Sequence, residues 1–458
     1  MQNVDRGSEG AAAKVRAPLS AWLGFAAMLS VYIYAVVDRQ IFVLLAEPIR
    51  ENMSLSDAQL GLLQGVGLAL VGVLTTFPIA WLADRFDRRL VTSGCVLVWS
   101  AAVVLCGLAP NFAWLFVGAS LVGVAEAGIG PAVYAMTGEL FPVAMRQTAN
   151  SIFAIAGRLG ASVGVILAGG LILAARQLKP LLPVVMGALP DWRLAFLVAA
   201  LFAPVAVLLM LTLPPQVSGA GASKAASRFA GVASTQNRSL LRYLRTHLRL
   251  QLGFFAGSIF GMFGFACIGA WAPIIAQRYF HQSPVAGGAW LGIIAFITGV
   301  AGFLFGSLVL RRLEPRLGPR LPMIALSACT AVGAACSLLI GFATSAVSLY
   351  GFWGLQLLFG MVMNMVTPTI MQNMAPVQLR ARIFAVNGLA TMVAAAMSPV
   401  VVGVVSDRLA AFTHTARPLQ AAAILTSIVA LLVSAILMWL STDSYVTLTE
   451  TISAAEPA

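Results

Sequence analysis

The chain has 458 residues, of which 60% are hydrophobic and only 10% charged, with a mean hydropathy of +0.92. Soluble domains carry roughly a quarter charged residues, so this composition excludes a soluble protein. The net charge of +12 would suit a nucleic-acid binder, but the distribution of that charge, given below, excludes nucleic acid as a partner.

The first 18 residues are mixed polar and show no cleavable signal peptide; the first apolar stretch is long enough to span and stay. Hydrocarbon needs about 20 apolar residues per helical crossing. Twelve such stretches occur, at 20–46, 57–83, 89–109, 112–137, 146–174, 192–213, 250–276, 286–310, 321–342, 346–371, 381–406 and 418–440. They are too long and too weakly alternating for barrel strands of about 10 residues. The expected fold is therefore an all-α polytopic membrane protein with twelve transmembrane helices.

Ser56-Asp57-Ala58-Gln59 reads as a capping box opening the second helix. Gly160 and Gly164, and later Gly253, Gly257 and Gly261, repeat at the four-residue spacing that lets helices approach closely. Residues 214–249, from Pro214-Pro215 through Gly219, Gly221 and Ser223, form the only long polar interval and suit a flexible linker. It separates a six-helix bundle at 20–213 from another at 250–440, with tails at 1–19 and 441–458. Pro142-Val143-x-x-Arg146 recurs as Pro376-Val377-x-x-Arg380, each leading into an apolar helix at the matching place in its half. Two pseudo-symmetric, parallel-related halves are a transporter pattern.

With a cytoplasmic N-terminus, the inward segments hold 19 Lys/Arg and the outward segments seven. This positive-inside bias places both termini in the cytoplasm; contact with anionic membrane lipids is a second use for the same charge. Cys95, Cys106, Cys267, Cys329 and Cys336 all lie in apolar stretches without paired spacing and read as small buried thiols. His247, His281 and His414 fall in loops. No metal or cofactor is expected. His-Glu-x-x-His and the phosphate-binding Gly-x-x-x-x-Gly-Lys-[Ser/Thr] are both missing, so neither an enzyme nor a primary pump is expected.

Four charges, Asp38, Arg39, Glu126 and Arg158, lie inside apolar stretches of the first half. Each costs at least ~2.5–3.5 kcal/mol at bilayer depth, so each must face protein or a wet cavity. Glu126 is sixteen residues before Pro142 and Arg158 sixteen after it; at ~1.5 Å per residue they share a depth, which predicts a Glu126–Arg158 pair. Asp38 and Arg39 are adjacent, hence about 100° apart, and cannot simply neutralise one another. Asp38 is the first candidate for a coupling proton and Glu126 the second. Arg39, with a permanent charge and a bidentate fork, suits an anionic headgroup; the alternative is snorkelling toward the outer surface.

Leu82-Ala83-Asp84-Arg85-Phe86-Asp87-Arg88-Arg89 resembles the loop signature of the major facilitator superfamily, Gly-x-Leu-Ala-Asp-Arg-x-Gly-Arg-Arg, with Ala80 and Asp87 in place of the two glycines. Asp84 at a helix end can pair with a cation or with the positive N-terminus of a helix in the other half. Asp84, Arg85, Arg88, Arg89 and Arg146 are thus the expected cytoplasmic gate. Asp38-Arg39, Ser56-Asp57-x-x-x-Gly61-Leu62-Leu63-Gln64 and Gly123-x-x-Glu126-Ala127 together resemble the spinster-like branch. Val36 stands where that branch leads one to expect a tyrosine, with Tyr32 and Tyr34 nearby, and Ala119 where it leads one to expect a basic residue. The resemblance implies proton coupling through the first-helix and fourth-helix acids, and lysophospholipid or sphingolipid-type cargo.

The second half offers Gln356, Asn364, Thr367 and Asn387, with Trp271, Phe296, Trp353, Phe359, Met361, Met363 and Met365 around them. An apolar, Met-rich wall opposite a charged one suits an amphiphile, although such residues also serve as core or lipid-facing surface. Tyr34, Tyr134, Asn364 and Asn387 join Arg39 and Arg158 as expected substrate contacts, the two asparagines reading equally as interhelical bonds. The expected protein is a monomeric, proton-coupled secondary transporter of the inner membrane for an amphiphilic or organic anion. A carrier for a small polar organic acid, a sugar acid or a drug-like compound, and an uncoupled facilitator, are the alternatives.

Overall fold

The computed structural model describes residues 18–212, 246, 248–375, 379–413 and 415–455. The expectations placed on the side chains of Asp84, Tyr134 and Arg158, and on the linker at 213–245, lie outside the described residues.

All described regular structure is helical. The chain enters α1 (Leu19–Met53), which ends at Ser54 in the left-handed region, φ 52°, with its N–H turned back to the Arg50 carbonyl. The capping box then forms: Ser56 Oγ accepts from Gln59 N at 3.2 Å and Gln59 Oε1 from Ser56 N at 3.0 Å. It opens α2 (Asp57–Leu62), which runs through a π-helix at Leu63–Leu70 into α3 (Val71–Arg85). Next come α4 (Arg88–Leu108), α5 (Phe112–Leu140), α6 (Val143–Leu178), the short α7 (Val184–Gly187), α8 (Asp191–Ala200) and α9 (Ala203–Leu211). The second half holds α10 (Leu248–Phe280), α11 (Pro284–Leu317), α12 (Leu321–Ile340), α13 (Ala346–Asn373), α14 (Arg380–Phe412) and α15 (Pro418–Leu440). A further helix, α16 (Thr442–Ala455), closes the end of that half: Tyr445 and Leu448 are buried against Met374, Ala375 and Leu379.

Among the described residues, eleven helical runs are long and apolar enough to cross a membrane. The protein is thus an all-α, multi-spanning membrane protein. The twelve apolar stretches stand as eleven runs because Pro284–Ile340 is continuous over 57 residues, α11 and α12 being joined by a 3-10 turn at Gly318–Arg320. Helix starts are secured locally. Asp87 caps α4 through Arg89 N at 3.0 Å, Asn111 caps α5 through Trp114 N at 3.2 Å, and Ser345 opens α13 with a second capping box. Each such cap contributes about 1 kcal/mol.

The repeated Pro-Val-x-x-Arg segment is repeated in its hydrogen bonding too. Arg146 Nε donates to the Phe141 carbonyl at 3.1 Å, and Arg380 Nε to the Ala375 carbonyl at 3.0 Å. In each case the guanidinium reaches back five residues, satisfying a carbonyl at the end of the preceding helix, where four such groups have no partner within their own helix.

The end of the molecule at which α1 begins is termed proximal, the opposite end distal. Among the described residues, the two halves meet most closely at the distal end, along seams made by glycine. Gly61 and Gly65 sit so close to the backbone of α14 that a methyl on either would run into the carbonyls of Pro399 and Ala396. Gly403 packs on the Asp57 carbonyl in the same way. On the other flank Gly288 and Gly292 of α11 lie against the Val165 and Ser162 carbonyls of α6. Small residues at such a seam let helix backbones touch, the main source of helix association where the hydrophobic effect is absent.

Candidate functional site: a cavity between the halves and its distal clasp

Proximal to those seams lies a cavity of about 1020 Å³. The first half contributes Arg39, Gln40 and Val43 from α1, Gln64 and Leu68 from the π-helix, Ala69, Val73, Gly157 and Ser162. The second contributes Met262, Ala266, Phe296, Val300, Phe303, Trp353, Leu357, Met361 and Met392. Among the described residues, charge and amide therefore stand on one wall, and the other is apolar apart from Ser398 and the Trp353 indole N–H. Phe296, Trp353 and Met361 line the cavity as expected, whereas Trp271 and Met363 are buried in the helix core.

Arg39 lines the cavity with its side chain 46% exposed, and its Nη1 lies 3.6 Å from Glu126 Oε2. That separation is an ion pair but too long for a hydrogen bond. Glu126 is largely buried and its Oε1 has no partner. Asp38, one residue before Arg39, points the other way. It is fully buried, and its Oδ2 accepts a 2.9 Å hydrogen bond from the Trp99 indole Nε1 while Oδ1 has no partner. Adjacent helical residues thus divide between the cavity wall and the buried bundle interior, as their angular offset allows. The structure brings Glu126 to Arg39.

Other expected contacts lie elsewhere. The Tyr34 hydroxyl donates to the Ala199 carbonyl, with its ring tilted against Trp99 at 4.6 Å. Asn364 is exposed and donates to the Gly360 carbonyl of its own helix at 3.0 Å. Asn387 is buried with Oδ1 unpartnered. None of the three lines the cavity. Gln356 is an interhelical bond: its Nε2 donates to Ser337 Oγ at 2.7 Å and Ser427 Oγ at 3.2 Å. In the expected proximal gate, Arg85 stacks over the Trp81 ring at 4.1 Å, Arg89 pairs with Asp87 at 3.4 Å, and Arg88 opens α4.

Sequence reasoning missed the distal clasp. Arg278, near the end of α10, reaches into the first half. Its Nε and Nη2 donate to Glu47 at 2.9 and 2.8 Å, and its Nη2 and Nη1 to Asp57 at 2.7 and 3.0 Å. Ser406 Oγ donates to Asp57 Oδ2 at 2.7 Å. The Asp407 carboxylate accepts from the Asp57 and Ala58 amides at 3.0 Å each, so an acid of one half caps a helix of the other. Gln277 Nε2 adds a 3.0 Å bond to the Leu44 carbonyl. Glu47, Asp57 and Arg278 are all at least four-fifths buried. The partners are 221 and 231 residues apart in sequence, so no local pattern joins them. The one local signal was an acid, Asp57, in the first turn of a helix.

The MFS-type efflux pump of Mycolicibacterium smegmatis is 29% identical over 197 residues, 42% of this chain and 42% of its own. The sphingosine-1-phosphate transporter SPNS2 of Mus musculus is 26% identical over 242 residues, 52% of this chain and 40% of that one. The matched segments span less than half of either relative. In fold the chain is similar to the crystal structure of a bacterial homolog of the human lysosomal transporter Spinster, in an inward-facing and unoccupied conformation. The TM-score is 0.72 at 18% identity, covering 97% of this chain and 100% of that chain. The sequence pattern of the Major Facilitator Superfamily matches residues 23–399, and the chain belongs to that superfamily.

Proposed function

We propose that the protein is a proton-coupled secondary carrier that moves an amphiphilic organic anion of lysophospholipid type across the inner membrane by alternating access. The observation that carries this reading is that, among the described residues, Arg39 is the one guanidinium on the wall of a large cavity that is otherwise mostly apolar. A headgroup anion has one place to sit and a tail has the opposite wall. Likeness to a sphingosine-1-phosphate transporter supports the same cargo class.

The 57-residue run at Pro284–Ile340 would measure about 85 Å at ~1.5 Å per residue, against a hydrocarbon core of ~30 Å. Read as two crossings it brings the total to twelve, six on each side of the linker, with both termini cytoplasmic by the positive-inside rule. The proximal end is then cytoplasmic. The glycine seams and the Arg278 clasp shut the distal end, which favours a state open to the cytoplasm. Asp84, Arg85, Arg88, Arg89 and Arg146 lie at the proximal end as the gate that would close it.

In this mechanism an anionic headgroup draws Arg39 away from Glu126, and the acid exchanges its cationic partner for a proton. Asp38, behind it and close enough to repel Glu126, is the second carboxylate of the relay. Arg158, Tyr134, Tyr34, Asn364 and Asn387 are retained as substrate contacts for states in which the helices have shifted. The test is flux of a lysophospholipid into proteoliposomes under an imposed pH gradient, wild type against Asp38→Asn and Glu126→Gln. Gradient-driven flux lost in both variants is expected. Equal rates in all three would remove proton coupling through these acids.

A further inference from the structure

The seam between the helix Asp57–Arg85 and α14 closes in three steps and then opens. Asp57 lies on Gly403, Gly61 on Pro399 and Gly65 on Ala396, backbone against backbone. One step further along the same stripes come Ala69 and Met392, and both are cavity wall; so is Val73, four residues beyond. The stripe keeps its four-residue spacing past the seam because Leu63–Leu70 is a π-helix, whose wider turn re-phases the chain and is frequent at functional sites. Gln64 stands beside the last closed step, lines the cavity, and has Nε2 buried without a partner. Toward the proximal end the residues next to this gap are large and apolar, with Leu74 61% and Leu389 41% exposed.

We propose that the gap between α3 and α14 is a tail subsite and lateral entry, in which the acyl tail of a single-chain amphiphile lies between Val73 and Met392 with its headgroup at Gln64 and Arg39. This rests on the reading of the cargo as an amphiphile. Order along one stripe argues for that occupant: an amide at the closed end, then only apolar side chains toward the leaflet. A partner helix does not fit, because the space tapers to backbone contact at Gly65. Exposed apolar walls leading to a cation on the cavity wall match a molecule that is itself apolar at one end and charged at the other.

Two measurements test it. Wild-type protein in nanodiscs is irradiated with a lysophospholipid carrying a diazirine at the end of its acyl chain. Adducts are expected on peptides containing Val73 and Met392; adducts confined to α11 around Phe296 and Phe303 would overturn the assignment. Lysophospholipid flux is then measured in Met392→Trp, which fills the gap, and Met392→Ala, which widens it. Leu425→Trp, on the exposed face of α15 (52% exposed), serves as control. At least a fivefold loss in Met392→Trp, a rate in Met392→Ala well above that of Met392→Trp, and a wild-type rate in Leu425→Trp are expected; wild-type flux through Met392→Trp would sink the subsite. Absence of flux in wild type with adducts still on Val73 and Met392 would fault the carrier reading and keep the subsite. Absence of both would remove the two together.

Discussion

Replacing Arg278 by Gln should release the distal end of the molecule. The guanidinium makes four hydrogen bonds to two buried carboxylates of the other half, at 2.7–3.0 Å. Glutamine keeps one donor amide and no charge, so Glu47 retains only Arg50, at 2.8 Å, and Asp57 only Ser406 and its helix start. Breaking a buried ion pair from one side is worth about 3–5 kcal/mol, chiefly because the orphaned charge stays buried. That penalty falls on the distally closed state alone, since separation of the halves hydrates both acids. Taking the lower figure, and a tenfold change per ~1.4 kcal/mol, the ratio of distally open to closed protein should rise roughly a hundredfold. Gly269→Cys is a suitable reporter: it lines the cavity, and its Cβ would meet nothing nearer than Trp353 Nε1 at 3.7 Å. In a background without the native cysteines, a membrane-impermeant thiol reagent applied from the distal side should label it slowly with Arg278 present and ten- to a hundredfold faster in Arg278→Gln. Arg278→Lys, which keeps the charge and loses the fork, should fall between. Identical labelling rates in all three would refute the clasp as the element that holds the distal side shut.

Three smaller perturbations examine the packing beneath this mechanism. Gly65→Ala places a methyl on the Ala396 carbonyl, and overpacking of this kind costs about 1–3 kcal/mol; the variant should raise distal labelling of the same reporter even with the clasp intact, and an unchanged rate would mean the seam does not bear on opening. Trp99→Phe removes the donor to Asp38 Oδ2 and leaves a buried carboxylate with neither oxygen bonded, worth about 1–3 kcal/mol. Thermal unfolding in detergent should register that loss, and Asp38→Asn combined with Trp99→Phe should destabilise by less than the sum of the two, as coupled neighbours do. Tyr445→Phe deletes the 3.1 Å bond from Asn373, a loss of ~0.5–1.5 kcal/mol that should loosen α16 and appear as faster amide exchange over 442–455, with the transmembrane helices unaffected.

What could be read from the sequence divides according to how far apart the responsible residues lie. Helix positions, the capping box at Ser56 and the matched arginines at 146 and 380 depend on a few neighbouring residues, and the structure reproduces them. The depth of Asp38, Arg39 and Glu126 was equally legible, because the cost of burying a charge is paid wherever it sits. Their direction was not. Depth along a helix follows from counting residues, whereas the facing partner follows from how helices are rotated and packed, which many weak contacts decide together. Counting placed Glu126 level with Arg158, whose side chain lies outside the described residues, and gave no sign that α1 would bring Arg39 within 3.6 Å of Glu126. The clasp is the extreme case, since each of its acids looks like an ordinary helix-end residue until α10 delivers Arg278 between them.

The same division explains why one dipeptide serves two tasks. Asp38 and Arg39 differ by a single step along α1, so they share a depth but not a surroundings. A turn of about 100° puts the acid against Trp99 in the packed interior of the first half and the base on the cavity wall. Were both on the wall, the arginine would be neutralised by its neighbour and have little left for a cargo anion. Were both inside, no charge would face the cavity from α1. The arrangement separates a fixed positive charge on the cavity wall from a buried carboxylate behind it, with Glu126 near the base. Under the proposed coupling, the 3.6 Å contact between Arg39 and Glu126 is the link between cargo and proton among the described residues, so Glu126→Gln is expected to be the more severe of the two acid substitutions in a pH-gradient flux assay.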